Sequence, residues 1–322
     1  RLRPFILRLL GNSSMLKMSS KIHPTIKLAS GYEIPRLGFG VCYLSKLERS
    51  LSSINTDIDN RPADETERCC LEAFKAGYRH IDSASKYYNE AGCGNAIRAS
   101  GIPRDQIFFT SKVGDITYDQ VKAQVTKSLA ESKLDYLDLM LLHHPRGGSE
   151  NRKGGWRALV EAVEEGKVRS IGVSNYSVHH LDELEQHIIE LETERGGKGR
   201  GGIVSVNQIE LHPWLAHKEI VEWCEKRDIV VEAFCPIVRG TRFEEASVKK
   251  LADKYSKTPA QILLRWSIDK GHVPLVKSVT SSRIASNADV FDFALTAEEV
   301  RELETDEYSP VSWNPTTLKL EE

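Results

Sequence analysis

Long apolar runs, a cysteine framework and an excess of either charge are all missing from this 322-residue chain. No uninterrupted apolar stretch approaches the roughly 20 residues that a membrane-spanning helix needs, so no membrane span is expected. The 44 basic residues are offset by 46 acidic ones, for a net charge of −2. So balanced a surface has no global field with which to recruit nucleic acid or an anionic membrane, and it points to a small-molecule partner. The six cysteines (Cys42, Cys69, Cys70, Cys93, Cys224 and Cys235) are scattered and form no CxxC pair. That argues against a zinc site or a disulfide framework and for the reduced thiols of an intracellular protein. Two phosphate-binding signatures are lacking as well. Leu37-Gly38-Phe39-Gly40-Val41 does not have GxGxxG spacing, and the glycine-rich stretch at 191–202 has no Lys-Ser/Thr of a P-loop.

What is present is alternation. With 40% hydrophobic residues the chain can bury a substantial core. Short apolar runs recur at 37–41, 78–81, 107–111, 137–142, 168–173, 203–206, 229–233 and 273–276. Between them lie segments of helical period, with stripes such as Val121, Val125 and Leu129, then Trp156, Leu159 and Val163, then Leu181, Leu184 and Ile188. Gly77 and Gly166 stand where two of these helices would be capped. Eight strands alternating with helices predict an α/β fold, a (β/α)8 TIM barrel. A doubly wound sheet is the alternative, disfavoured by the missing GxGxxG. The turn residues of 29–35 predict a short N-terminal β-hairpin that covers the barrel bottom.

The expected organisation is an extension over 1–25 and one barrel domain over 26–322, with insertions at 45–62 and 191–202, the latter a flexible loop. Six basic residues and no acid precede Glu33, the composition of a mitochondrial presequence. An unstructured extension is the other reading, and with it a cytoplasmic location.

In a TIM barrel the side chains at the C-terminal ends of the strands converge on one mouth. Here those positions carry Asp82, Lys112, His143 with His144, Ser174 with Asn175, Asn207 with Gln208, Phe234 with Cys235, and Lys277 with Ser278. The stretch HIDSASKYYNEAGCG (80–94) adds Tyr87 and Tyr88. A tyrosine hydroxyl titrates near 10, and a neighbouring ammonium lowers that by stabilising the phenolate. Lys112 can supply the ammonium, Asp82 can hold it, and a neutral His143 can orient a carbonyl. No side chain supplies hydride, so a nicotinamide cofactor is expected. Lys277 and Arg283 fit its phosphate, beside a helix that Ser281 or Ser282 caps. A Schiff base on Lys112, as in a barrel aldolase, is a further reading.

The motifs GYEIPRLGFG, HIDSASKYYNEAGCG, FFTSKV, DYLDLMLLHHP, GKVRSIGVSNY, VNQIELHP, VVEAFCPIVRG, TPAQILLRWS and VKSVTSSRI occur in this order. Over roughly residues 26–315 the chain thereby resembles the aldo-keto reductases. The resemblance implies NADPH-dependent reduction of aldehydes or ketones to alcohols, with NADH the poorer cofactor and no metal. A regulatory subunit that binds the cofactor with little turnover is the alternative it leaves. Its Asp-x(4)-Tyr spacing falls on Asp82 and Tyr87, which makes Tyr87 the general acid, with Lys112 and His143 completing the catalytic four. Ser174, Asn175 and Gln208 match positions that hold the nicotinamide carboxamide, and Phe234 the ring that stacks on it, with Cys235 following. Lys277, Ser278 and Arg283 match the 2′-phosphate site and Asn287 an adenine contact. Cys42 and His144 fall on substrate-pocket positions, His144 where Trp is common, so a more polar pocket is expected. A monomer or weak dimer is expected.

Overall fold

The structure, a computed structural model, describes residues 23–42 and 63–322. Nearly all of the extension expected over 1–25, and the whole of the insertion expected at 45–62, lie outside the described residues.

The chain enters through an antiparallel hairpin, β1 (Thr25–Lys27) and β2 (Glu33–Pro35), turned at Gly31 with φ +94°. Eight parallel strands follow: β3 (Gly38–Gly40), β4 (His80–Asp82), β5 (Phe108–Val113), β6 (Leu137–Leu142), β7 (Val168–Ser174), β8 (Val204–Glu210), β9 (Val230–Phe234) and β10 (Val273–Val276). They pair in chain order, and β10 closes the barrel by pairing with both β9 and β3. Each of the eight expected strands is found. Among the described residues the helices are α1 (Ala63–Lys75), α2 (Glu90–Ala99), α3 (Tyr118–Ser132), α4 (Ser149–Glu164), α5 (Val178–Glu194), α6 (Lys218–Glu225), α7 (Ala246–Tyr255), α8 (Pro259–Asp269), α9 (Ser281–Ala288) and α10 (Ala297–Leu303).

Two apolar layers result from the period-two alternation of the strands. Outward residues such as Phe109, Val113, Met140 and Val173 meet the helix stripes headed by Val121, Trp156 and Leu181. Inward residues Phe108, Leu139, Leu141, Val206 and Val273 fill the lower barrel and pack against Leu28 and Ile34 of the hairpin. The hairpin therefore plugs the bottom. Above this layer the interior turns polar, with His80, Asp82, Thr110, Lys112, Gln208 and Glu232 all buried. Register decides this: Asp82 pairs with Thr110, Lys112 with Leu141, and Gln208 with Glu232. A one-residue slip would turn each of these groups out among the helices.

Two local expectations are corrected. The segment 191–202 begins as helix, because α5 runs on to Glu194. Its remainder is tied down by Gly197 N–H donating to Glu192 O (2.8 Å) and Trp156 Nε1 donating to Gly201 O (2.8 Å). At α9, Ser281 is the first helical residue and Thr280 the N-cap, so neither Ser281 nor Ser282 caps that helix.

Candidate active site

Strands β4 and β5 aim Asp82 and Lys112 into the upper barrel from adjacent positions. Lys112 is fully buried, and its Nζ donates to Asp82 Oδ1 (2.7 Å), Asp82 Oδ2 (2.9 Å) and the Ser83 carbonyl (2.7 Å). All three N–H bonds of the ammonium are thereby used. Tyr87 closes a short 3-10 turn, Ser85–Tyr87, just after β4. The turn is anchored beneath by Asn89, which accepts from Ser83 Oγ (2.7 Å) and donates to the Val41 carbonyl (2.8 Å). Lys112 Nζ lies 5.2 Å from the centre of the Tyr87 ring. His143, at the end of β6, sets its ring edge-on to Tyr87 with 5.8 Å between centroids. Burial first, then the charge of Lys112, hold His143 well below the usual histidine range, so its imidazole is neutral at pH 7. The four residues picked out in the sequence form one cluster, while Tyr88, left-handed at φ 53° and exposed, stands outside it.

The cofactor candidates divide into two groups. Ser174 Oγ donates to the Gln208 carbonyl (2.8 Å), and Asn175 Nδ2 donates to the His143 carbonyl (3.0 Å) and Ser174 Oγ (3.0 Å). Gln208 Nε2 donates to Asp82 Oδ2 (2.9 Å). Asn175 and Gln208 are thus bonded directly to the cluster of four, and Ser174 joins it through them. Gln208 lies inside β8 rather than after it, and Asn207 beside it faces outward, donating to the Tyr176 carbonyl (3.0 Å). Phe234 ends β9, and Cys235 follows in a left-handed conformation at φ 51°, its thiol pushed up to about 11 by burial. The second group follows β10. Ser278 Oγ accepts from Thr280 N–H (3.1 Å), and Arg283 Nη2 donates to Thr280 Oγ1 (2.7 Å). Lys277 is half-buried there and Asn287 is buried. An amide and hydroxyl set at the barrel mouth and a cation and hydroxyl set beyond it fit a ligand with an amide head and a phosphorylated tail.

Of the two residues expected to line a substrate pocket, Cys42 is half-buried at the end of the described 23–42 segment. His144 lies nearly parallel to His143, with centroids 6.3 Å apart. Sequence reasoning missed its neighbour: Trp313, from the C-terminal segment, meets His144 edge-on at 5.6 Å, and the Arg146 guanidinium lies 5.7 Å from the Trp313 ring. It also missed Arg152, which is buried and bonds Glu183 through Nε and Nη2. Arg152 donates as well to the carbonyls of Pro145 (2.7 Å) and Leu320 (2.7 Å), joining the loop of His144 to the C-terminal segment. Neither residue lies at a strand end, so the rule that located the other positions gave no signal for them.

The family model described as "Aldo/keto reductase family" matches residues 51–305. The chain belongs to the aldo/keto reductase family. It is an NAD(P)-dependent oxidoreductase acting on carbonyl groups, since members of the family use nicotinamide cofactors. Similar curated proteins are a glyoxal reductase of Bacillus subtilis, 37% identical over 289 residues, covering 89% of this chain and 94% of the relative, and a methylglyoxal reductase of Escherichia coli, 36% identical over 284 residues, covering 87% and 93%. Among solved structures, an aldo/keto reductase from Brucella melitensis is 38% identical with a TM-score of 0.75, covering 87% of this chain and 98% of that one. A Bombyx mori aldo-keto reductase in complex with NADP is 31% identical with a TM-score of 0.75, covering 90% and 95%. In this reductase no helix among the described residues is long and apolar enough to cross a membrane.

Proposed function

We propose that this reductase converts aldehydes to alcohols with NADPH, using Tyr87 as the general acid, and that small 2-oxoaldehydes of the methylglyoxal type are among its substrates. The observation that carries the chemistry is the Lys112 ammonium, buried, held by both oxygens of Asp82, and 5.2 Å from the Tyr87 ring beside a neutral His143. The substrate class is carried over from the names of the glyoxal and methylglyoxal reductases.

A bound reduced nicotinamide supplies the hydride that reaches the carbonyl carbon. His143, neutral, donates a hydrogen bond to the carbonyl oxygen and orients it. Tyr87 gives its hydroxyl proton to that oxygen as negative charge develops, which completes the alcohol. The phenolate left behind is stabilised by Lys112, an attraction of about 3 kcal/mol at 5 Å and an effective dielectric constant of 20. Asp82 keeps Lys112 charged and in place. Ser174, Asn175 and Gln208 hold the carboxamide, and Phe234 stacks on the ring. Lys277, Ser278 and Arg283 take the 2′-phosphate, which is the ground for preferring NADPH to NADH, and Asn287 contacts the adenine.

Turnover of methylglyoxal, followed by cofactor absorbance, tests the assignment. Tyr87→Phe should abolish turnover and leave cofactor affinity nearly unchanged, whereas a Tyr87→Phe enzyme with wild-type kcat sinks it. Arg283→Ala should raise the KM for NADPH about tenfold and leave that for NADH alone, on the scale of one charge-assisted hydrogen bond.

A further inference from the structure

Beneath the catalytic cluster the barrel holds a second carboxyl group that the proposed mechanism does not use. Glu232 of β9 is fully buried. Its Oε2 accepts from Gln208 Nε2 (2.8 Å), and the same nitrogen donates to Asp82 Oδ2 (2.9 Å). One amide group therefore commits both of its N–H bonds to two carboxyl groups. On the other side, Glu232 Oε1 is 3.5 Å from His80 Nε2, which in turn lies 3.0 Å from Thr110 Oγ1. No hydrogen-bond partner reaches Oε1.

The charges around Glu232 fix its state. Strand β4 contributes Asp82 and His80, β5 contributes Lys112, and β8 contributes the uncharged Gln208. From β10 its partner in register, Val273, is apolar. Lys112 and Asp82 cancel each other, so an ionised Glu232 would be a surplus buried charge. Burial first, then the charge of Asp82, push Glu232 up to about 8, while burial holds His80 down to about 3. At pH 7 Glu232 is the uncharged acid beside a neutral imidazole.

We propose that Glu232 is a positioning residue of this reductase. As the uncharged acid it holds the NH2 group of Gln208 in the barrel core, which leaves the Gln208 amide oxygen as the acceptor for the NH2 of a bound nicotinamide carboxamide. This rests on the assignment of Gln208 to the carboxamide made above. Without Glu232 only the bond to Asp82 opposes a 180° rotation of the terminal amide, which would exchange donor and acceptor. Ionised Glu232 pulls on Lys112 from below and disturbs the same arrangement.

Three measurements on the full-length protein test the proposal. Infrared spectroscopy of the cofactor-free protein should show a protonated-carboxyl band at neutral pH that is absent from Glu232→Gln. NADPH binding, read by quenching of tryptophan fluorescence, should weaken about tenfold in Glu232→Leu, the scale of one hydrogen bond. That loss should disappear with the 3-acetylpyridine analogue of NADPH, which has no NH2 to donate. Glu232→Gln, which keeps an acceptor for Gln208 and guards against a misfolded leucine variant, should bind NADPH as the wild type does at pH 7. It should also lose the weakening that the wild type shows above about pH 8. A missing acid band, an equal loss for both cofactors, or an unchanged alkaline limb in Glu232→Gln overturns the proposal. Wild-type protein that does not bind NADPH at all would instead overturn the functional reading, and the proposal with it.

Discussion

Lys112 reaches both carboxylate oxygens of Asp82, at 2.7 and 2.9 Å, and neither residue has appreciable contact with solvent. Breaking such a pair leaves one charge buried without compensation, at a cost of about 3–5 kcal/mol. Asp82→Asn should therefore lower the urea midpoint as well as turnover. Asp82→Asn combined with Lys112→Met, which removes both charges, should be more stable than Asp82→Asn alone. Urea titration of the three variants checks the order.

Acid should destabilise the protein at pH values where surface carboxylates are still ionised. Burial holds His80 and His272 down to about 3, so both are neutral in the fold at pH 6, whereas in the unfolded chain they take up protons below about 6.5. The unfolded state then binds more protons than the native state, and stability falls as pH drops from about 6.5 towards 3. Each group contributes up to about 1.4 kcal/mol per pH unit. Glu232 acts in the opposite direction. It is neutral in the fold and ionised when unfolded above about 4.5, so its contribution declines as pH rises from there to about 8. Urea midpoints across this range should fall on the acid side for the wild type and for Glu232→Gln alike. On the alkaline side they should fall less for Glu232→Gln.

Arg152 links three segments through Glu183, Pro145 and Leu320. Its replacement by methionine should cost about 3–5 kcal/mol, because Glu183 and two carbonyls lose their donor. The same change frees the loop of His144 and the C-terminal segment from each other, so the KM for aldehyde should rise more than kcat falls. A stability loss with an unchanged KM would confine Arg152 to the fold.

Trp313 is half-exposed beside His144, with Arg146 near its ring. Trp313→Ala removes an aromatic face, worth about 0.5–1.5 kcal/mol to a stacked ring. The KM for an aromatic aldehyde such as nitrobenzaldehyde should rise several-fold, while that for methylglyoxal, which has no ring, should change little. A substrate panel at saturating NADPH provides the comparison.

Much of this architecture was legible because its signals are local. The runs of β5 and β6 and the stripe Val121, Val125, Leu129 announce their elements through periodicity, and Asp82, Lys112 and His143 stand near the strand ends where a barrel gathers its chemistry. Strand length was harder to read. Gln208 lies inside β8 because pairing with β9 carries the strand to Glu210, a gain that only the neighbouring chain provides.

The sequence by itself determined the alternation of strands and helices and the residue types at the mouth, since both follow from spacing along the chain. Only the tertiary structure decided that Gln208 joins Asp82 to Glu232, that burial pushes the Glu232 carboxyl upward, and that Trp313 arrives beside His144 from 169 residues away. The reason is physical. Periodicity fixes which face of its own element a side chain takes, but its charge state and partners depend on what other strands bring within a few ångströms, and that is set by barrel closure and register.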